Sequence, residues 1–392
     1  MDLRLEGGKI AGIAPSAERV HARGAEAIDL EGRVAIPGFV DAHMHLDKGM
    51  VSARAVNRSG TLAEALRRMK EAKKDFGFED TRRRARRQIE MAIGNGTTAI
   101  RTHVDIDFTV GLVGIEALRA LREQLQGAIT LQLVALPHGD LVSSRRFLRL
   151  FRRAIELSDL IGGIPRPGDR KSLDRLFDLA REFDRDLDLH VDETDAPTPL
   201  AIRDVARKTM KVGFEGRVTV GHLCALSSLP PRGAQEMIAR IRDAGINVIT
   251  LPSTNLHLQG RADARSPRRG ITRVKEMLAA GIPVAYASDN IRDGFNPFGN
   301  ADMMEVGLLL AHGAQMGTPN ELLTVLDMGT ETAGRIFYRR QHYGLRAGHE
   351  ADLVVLDTKD LGDAIVCRPT RRWVFKGGKL VARTSARTEL FL

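Results

Sequence analysis

Two histidines separated by a single residue, His43 and His45, lie at the end of an apolar run that starts at Ala35 and passes through a Pro-Gly turn. Side chains alternate between the two faces of a strand, so both imidazoles would point the same way and could bind one metal ion. Two histidines supply about half of the ligands of a usual metal site. The rest of the chain must provide the others.

Other imidazoles and carboxylates follow apolar runs further along the chain. These residues are His103, Asp105, His138, His190, Asp192, Glu193, His222 and Asp289. Neutral imidazole and carboxylate are suitable ligands for zinc or ferrous iron, and a catalytic site leaves one position open for water. The chain has no Gly-x-Ser-x-Gly elbow, P-loop or Gly-x-Gly-x-x-Gly motif, so acyl-serine, nucleotide triphosphate and dinucleotide chemistry lack their first requirement. The residues favour a metal that activates water.

Strand-like apolar runs alternate with amphipathic helical stretches through the middle of the chain, which is typical of parallel βα units. The predicted strands cover residues 35–45, 98–105, 131–137, 160–164, 187–192, 218–223, 246–251 and 283–289. Eight such units predict a (β/α)8 barrel, with a doubly wound open sheet as the alternative. A barrel places its chemistry at the carboxyl ends of its strands, where the candidate residues lie. The long helical stretch over residues 61–92 should break near Gly77.

The two ends of the chain have a different sequence pattern from the middle. Residues 1–34 alternate apolar and polar side chains with frequent glycine, and residues 351–356, 372–375 and 379–382 read as further short strands. We therefore expect both termini to meet in one small β-sandwich domain, formed by residues 1–36 and 341–392. Residues 37–340 would form the barrel hydrolase domain.

The amino-acid composition indicates which binding partners and which cellular compartment to expect. The net charge of +9 comes largely from arginines spread around predicted helices with few aromatics between them, which indicates a solvated surface rather than a nucleic-acid groove. No secretory signal or long apolar span is recognisable, so no membrane partner is expected. The two cysteines, Cys224 and Cys367, fit a reducing compartment. We expect a cytoplasmic protein, a homo-oligomer, with a small-molecule substrate.

Several motifs occur in an order that resembles the amidohydrolase superfamily and, within it, the cytosine deaminase branch. They are Pro-Gly-Phe-Val-Asp-Ala-His43-Met-His45-Leu-Asp47, Arg101-Thr-His103-Val-Asp105, His190-Val-Asp-Glu193, Gly221-His222, Asn255-Leu-His257-Leu-Gln259-Gly-Arg261 and Ser288-Asp289-Asn-Ile-Arg-Asp-Gly-Phe-Asn-Pro-Phe-Gly299. These motifs span nearly the whole barrel, and the flanking β segments match the family's small domain.

The resemblance implies a ligand set and an acid–base pair. Four residues would bind one divalent ion, zinc or iron: His43, His45, His190 and Asp289. A metal lowers the pKa of its bound water towards about 7. Asp289 could accept the proton of that water, Glu193 would shuttle a proton to the substrate, and His222 would orient the attacking water.

The fourth predicted strand indicates how many metal ions the site would hold. The run Leu160-Ile-Gly-Gly-Ile164 contains no lysine. Relatives with two metals, such as dihydropyrimidinases, use a carboxylated lysine at that place to bridge the ions. The resemblance therefore implies a mononuclear site, and deamination rather than ring opening.

The sequence departs from the cytosine deaminase pattern in the region that would contact substrate. His138 stands where those enzymes have a glutamine, and Asn290 stands where they have a second aspartate. Asn290 removes a negative charge beside the ring, so a neutral or anionic heterocycle becomes easier to accept. The positive charges of Lys48 and Arg292 also favour a neutral or anionic substrate. His103 is the last of the candidate substrate-binding residues. N-isopropylammelide isopropylaminohydrolases belong to the same branch, so s-triazines are expected alongside pyrimidines.

The predicted function is a metal-dependent hydrolytic deaminase that removes an amino or alkylamino group from a small nitrogen heterocycle by attack of metal-activated hydroxide. Two alternatives stay open at this point. The same site could hydrolyse a cyclic or exocyclic amide, or the chain could be a metal-binding protein without catalysis.

Overall fold

The apolar runs of the chain form fourteen strands in the described part of this computed structural model, which covers residues 1–15, 27–339 and 342–391. In chain order the strands are β1 (Asp2–Glu6), β2 (Lys9–Ala14), β3 (Ala35–Pro37), β4 (Phe39–Met44), β5 (Thr97–Ile106), β6 (Thr130–Pro137), β7 (Leu160–Gly163), β8 (Leu187–Val191), β9 (Val218–His222), β10 (Asn247–Thr250), β11 (Val284–Tyr286), β12 (Leu353–Leu356), β13 (Arg371–Lys376) and β14 (Lys379–Arg383).

Strands β4 to β11 form one parallel sheet in which every strand pairs with its neighbour in the chain. A parallel bridge between Met44 and Asp289 joins its two edges. Across this seam the Asp289 amide donates to the His43 carbonyl at 2.9 Å, and the His45 amide donates to the Asp289 carbonyl at 3.2 Å. The sheet is therefore closed into an eight-stranded barrel, as the sequence predicts, rather than an open doubly wound sheet.

Helices follow the strands and cover the barrel, because each has one apolar face that must be buried. They are α1 (Leu62–Ala72), α2 (Phe78–Gly94), α3 (Val113–Gln124), α4 (Arg145–Glu156), α5 (Arg170–Glu182), α6 (Ala201–Val212), α7 (Pro231–Asp243), α8 (Pro252–Leu258), α9 (Val274–Ala279), α10 (Met303–Ala314), α11 (Pro319–Gly329), α12 (Glu331–Phe337) and α13 (Asp363–Cys367). The break expected near Gly77 is confirmed, since Gly77 is the N-cap of α2. No helix within the described ranges has the length and apolar character needed to cross a membrane.

The first predicted strand, residues 35–45, is wrong as a single element. Its first part, β3, pairs with β12 in a terminal sheet, and its second part, β4, belongs to the barrel. Gly38 separates them and lies so close to Thr98 that a Cβ at position 38 would be 2.3 Å from the Thr98 methyl carbon. Pro37 precedes it and has no N–H for a continuous ladder. The chain therefore changes sheets at the Pro-Gly turn.

Both termini contribute to antiparallel sheets outside the barrel. Strands β1 and β2 form a hairpin, and β14, β13, β12 and β3 form a four-stranded sheet in that order. The expected β texture does not continue through residues 27–34, where Glu31 and Gly32 form a turn with positive φ angles. The domain boundaries stay a prediction: residues 16–26 and the boundary near residue 341 lie outside the described residues.

Candidate metal centre and active site

Four predicted ligands converge at the carboxyl end of the barrel. His190 Nε2 lies 3.2 Å from His45 Nε2, and Asp289 Oδ1 lies 3.3 Å from His45 Nε2 and 3.7 Å from His43 Nε2. One ligand atom from each of the three histidines lies within 4.8 Å of the others. Ligands about 2.1 Å from a tetrahedral ion are about 3.4 Å from one another. The observed separations match that spacing.

The chemistry of these groups also fits a divalent cation. Both ring nitrogens of His43 and both carboxylate oxygens of Asp289 are buried without a hydrogen-bond partner among the described residues. Burial and the neighbouring histidines hold the pKa of His43 and His190 well below the ordinary value, and burial with nearby Lys48 lowers the pKa of His45 to about 4. The imidazoles are therefore neutral and present lone pairs, as metal ligands require.

Barrel geometry brings these ligands together from three strands. His43 is on β4, His45 follows β4, His190 is on β8, and Asp289 follows β11. Gly221 on β9 makes room for the His43 ring, because a Cβ at position 221 would lie 3.0 Å from its Cε1 atom. Asp289 has a φ of 61°, in the left-handed region, which most residues avoid but which aspartate adopts more readily than most.

The acid–base candidates Glu193 and His222 lie beside the ligands. His222 Nε2 is 3.7 Å from Glu193 Oε2, and Asn255 Nδ2 is 3.2 Å from His222 Nδ1. The Asn255 amide therefore donates to Nδ1, which places the proton of a neutral His222 on Nε2, facing Glu193. Burial raises the pKa of Glu193, so this carboxyl keeps its proton to a higher pH than an ordinary glutamate. The side chain of Glu193 is 21% exposed, which gives it access to a bound molecule.

The residues predicted to contact substrate do not share one environment. Lys48 and His138 both contact the Asp105 carboxylate, each with a nitrogen 3.0 Å from Oδ1. Lys73 Nζ lies 2.7 Å from the other oxygen, Oδ2. Burial would raise the pKa of Asp105, but His138, Lys48 and Lys73 outweigh it and hold the pKa well below its ordinary value. Asp105 is therefore a permanent acceptor at the wall of the site.

His103 lies below the ligands rather than on the open side of the site. Its side chain is fully buried, Nε2 is 3.2 Å from Asp188 Oδ1, and its ring centroid is 4.0 Å from that of His43. Asp188 in turn accepts from Arg101 at 2.8 Å. A direct contact between His103 and substrate stays an untested prediction, and these distances favour support of His43 instead.

The remaining two substrate candidates are held in the loop after β11. Asn290 is 4% exposed, and its amide Nδ2 donates to Asp293 Oδ2 at 2.6 Å. Arg292 Nε donates to the Gly299 carbonyl at 3.0 Å. Burial raises the pKa of Asp293 to about 7. Asn290 and Arg292 therefore shape this loop, and a contact with substrate stays a prediction for both.

Several residues around the site were not predicted from the sequence to have roles in it. They are Arg101, Asp105, which the sequence marked as a strand-end carboxylate without a specific role, Asp188, Lys73 and Asn255. The sequence did contain a signal for Arg101 and Asp105. Together with His103 they occupy alternate positions of one strand, so all three must share its inner face. Asp192, which follows a strand as the predicted ligands do, instead accepts from the Ala201 and Ile202 amides at the start of α6, at 2.7 and 3.1 Å.

The barrel and its three-histidine, one-carboxylate centre define a metal-dependent hydrolase, and comparisons with known proteins agree. The profile of the family described as "Amidohydrolase family" matches residues 26–135 and 150–382. The chain belongs to this family, which confirms the resemblance drawn from its motifs, and it is an enzyme that hydrolyses carbon–nitrogen bonds other than peptide bonds.

Three relatives are similar over nearly the whole chain. The crystal structure of 5-methylcytosine deaminase from Klebsiella pneumoniae liganded with 5-fluorocytosine superimposes with a TM-score of 0.93 at 34% identity, covering 99% of this chain and 95% of that chain. N-isopropylammelide isopropyl amidohydrolase from Pseudomonas sp. (strain ADP) is 30% identical, over 91% of this chain and 88% of that protein. Pterin deaminase from Rhizobium rhizogenes is 32% identical, over 91% and 82%.

Proposed function

We propose that this enzyme is a mononuclear aminohydrolase that removes an amino or alkylamino group from a small nitrogen heterocycle. The observation that carries the proposal is the convergence of His43, His45, His190 and Asp289. Three pairs of their ligand atoms are 3.2 to 3.7 Å apart, and the three histidine donors lie within 4.8 Å of one another, with Glu193 close to this cluster. Zinc and iron both suit such a donor set, and we propose one of these two ions. A divalent ion at this site would supply a water molecule activated for attack near neutral pH.

The side chains around the site can then move the protons. Burial would raise the pKa of Asp289, but its contacts with His45 and His222 outweigh burial and lower it, so Asp289 is a carboxylate and can accept a proton from water. Glu193 has a raised pKa and can donate a proton to a ring nitrogen and then to the departing amine. His222 lies beside Glu193, with its Nε2 hydrogen available to orient the oxygen that attacks. These roles balance the hydrolysis of a C–N bond. Water gives one proton to Asp289 and its hydroxyl adds at carbon, Glu193 gives its proton to the ring nitrogen, the hydroxyl proton passes through Glu193 to the departing amine, and the proton held by Asp289 restores Glu193.

The wall of the site favours substrates with a lactam edge, in which a ring N–H adjoins a C=O group. Because Asp105 is an acceptor, the shared hydrogen bond places a proton on Nε2 of His138, and in the neutral form of the ring Nδ1 would be an acceptor. Lys48 remains an ammonium, since Asp105 and Asp47 outweigh the effect of burial and raise its pKa. A donor and an acceptor thus flank one carboxylate oxygen. A lactam carbonyl would accept from Lys48, and the adjacent N–H would donate to His138.

A panel of heterocycles, with release of ammonia or amine as the readout, tests both the aminohydrolase reaction and the preference for a lactam edge. Cytosine, 5-methylcytosine, pterin and N-isopropylammelide carry a lactam edge, whereas 4-aminopyrimidine has the amino group without it. A site built for such an edge should reject the analogue without it by roughly 10⁴-fold in kcat/KM. Turnover of 4-aminopyrimidine at the rate of cytosine would overturn the lactam assignment. No release from any member, at one equivalent of bound metal, would overturn the aminohydrolase itself.

A cytoplasmic location and a homo-oligomeric state are further parts of the proposal. The two cysteines are free thiols, Cys224 buried and Cys367 exposed, as suits a reducing compartment. Sedimentation of the purified enzyme would test the oligomeric state.

A further inference from the structure

A buried ion pair lies directly beneath the metal centre. Arg101 on β5 is 3% exposed, and its Nη1 donates to Asp188 Oδ2 on β8 at 2.8 Å. Its other nitrogens are also used: Nε donates to Gln132 Oε1 at 3.0 Å, and Nη2 donates to the Ile336 carbonyl at 3.3 Å. Arg101 also lines a cavity of about 730 Å³ at the amino-terminal end of the barrel.

Asp188 connects this ion pair to His103. While Oδ2 accepts from Arg101, Oδ1 lies 3.2 Å from His103 Nε2, and both side chains are fully buried. The carboxylate can only accept, so His103 carries its proton on Nε2. This bond fixes both the tautomer and the plane of the His103 ring.

His103 in turn packs against the metal ligand His43. The two ring centroids are 4.0 Å apart with an interplanar angle of 34°, and His190 lies 4.6 Å from the His43 centroid. A ligating histidine usually donates its second N–H to a carboxylate or carbonyl, which fixes the ring. In the described ranges, neither nitrogen of His43 has such a partner. The orientation of the His43 ring therefore depends on the rings packed against it.

We propose that Arg101, Asp188 and His103 are positioning residues for His43. Arg101 orients Asp188, Asp188 locks the His103 ring, and the His103 ring keeps Nε2 of His43 directed at the position shared with His45 and Asp289. A competing use of the same groups exists, because one donor atom each from His43, His103 and Asp188 lies within 4.8 Å of the others and could hold a second ion. Both oxygens of Asp188 are already bonded, which favours positioning.

Zinc release from the loaded, full-length enzyme tests the proposal without relying on turnover. Asp188→Asn gives His103 an amide that can donate as well as accept, and His103→Phe keeps an aromatic ring but removes its bond to Asp188. Loss of an outer partner of a ligand typically weakens a metal site 10- to 100-fold. Both variants should therefore release zinc to a chromophoric chelator roughly 10 to 100 times faster than the wild type, and their cobalt forms should show altered d–d bands.

Asp352→Asn is the matched control for a general loss of stability. Asp352 forms a similarly buried ion pair with Lys376, at side-chain exposures of 4% and 12%, in the terminal sheet. This variant should lower the Tm of the metal-free protein, as Asp188→Asn does, but release zinc at the wild-type rate. Equal release rates in all four proteins would overturn the proposal. So would two equivalents of zinc in the wild type with one lost in Asp188→Asn, which would assign the cluster to a second ion. His103→Phe decides the question if Asp188→Asn does not fold.

Discussion

Replacing Glu193 with glutamine separates proton transfer from metal binding. Glu193 follows β8 three residues beyond the ligand His190, and its Oε2 lies 3.7 Å from His222 Nε2. Glutamine keeps the volume and one acceptor oxygen but cannot give up a proton at the working pH. Because Glu193 is outside the set of converging donors, we expect Glu193→Gln to bind one equivalent of metal, as the wild type does.

The expected loss is in kcat. A positioned general acid contributes about 10²- to 10⁴-fold, which corresponds to about 3 to 5 kcal/mol of transition-state stabilisation. The raised pKa of Glu193 also has a signature in the pH profile. If its protonated form delivers the proton, kcat falls as pH rises through that raised pKa, and the Glu193→Gln variant lacks this descending limb.

Asp195→Asn is the matched control, since it changes a carboxylate on the same loop. Asp195 accepts from the Gly260 amide at 3.0 and 3.1 Å and contacts none of the metal ligands. It should keep metal and most of kcat. Amine release at saturating substrate and metal analysis on the same samples decide the outcome. A Glu193→Gln enzyme with wild-type kcat, or one that loses rate only in proportion to lost metal, would refute the assignment.

Three further changes test other parts of the molecule. Asp289→Asn should abolish turnover and weaken metal binding, because a neutral amide is a poorer ligand and cannot take a proton from water; a fully active variant, measured at matched metal content, would contradict its role. His138→Gln should change the ranking of kcat/KM across the heterocycle panel at constant zinc content, because glutamine replaces a fixed acceptor with an amide that offers both a donor and an acceptor; an unchanged ranking would place His138 outside the pocket. Gly38→Ala should cost about 1 to 3 kcal/mol of unfolding free energy, because the new Cβ would lie 2.3 Å from Thr98; an unchanged denaturant midpoint would show that the turn can relax.

Hydrophobic periodicity was sufficient to predict the barrel, since eight apolar runs separated by amphipathic helices leave few other architectures. Periodicity failed where a single apolar run contributes strands to two different sheets. Residues 35–45 are apolar almost throughout, so nothing in their periodicity marks the change at Gly38. The change is set by a long-range contact, the close approach of Gly38 to Thr98 on β5, and by the pairing of β3 with β12 more than three hundred residues later.

The convergence of the four candidate ligands could be predicted because each is an imidazole or carboxylate at a strand end, and barrel closure places all strand ends at one rim. Their partners were harder to predict. Asp188 bonds across the barrel interior to Arg101, and Lys73 reaches Asp105 from a short 3-10 helix that follows α1. Such pairs depend on which strands face each other across the barrel, which the local sequence does not encode. Asp192 shows that a strand-end carboxylate can also be wrongly suggested as a ligand. It follows a strand as the candidate ligands do, but it accepts a hydrogen bond from the start of a helix instead.

With the proposed roles, strand β5 would let support of the metal and selection of substrate vary separately. Its ten residues are all buried, and it pairs with β6 along residues 99–106, so it is a rigid element. Arg101, His103 and Asp105 lie on its inner face at steps of about 6.7 Å. Arg101 bonds to Asp188, His103 packs on His43, and Asp105 bonds to Lys48 and His138. A substitution at position 138 therefore changes the surroundings of Asp105, one step along the strand from His103, and we expect it to alter substrate choice without moving the proposed metal ligands.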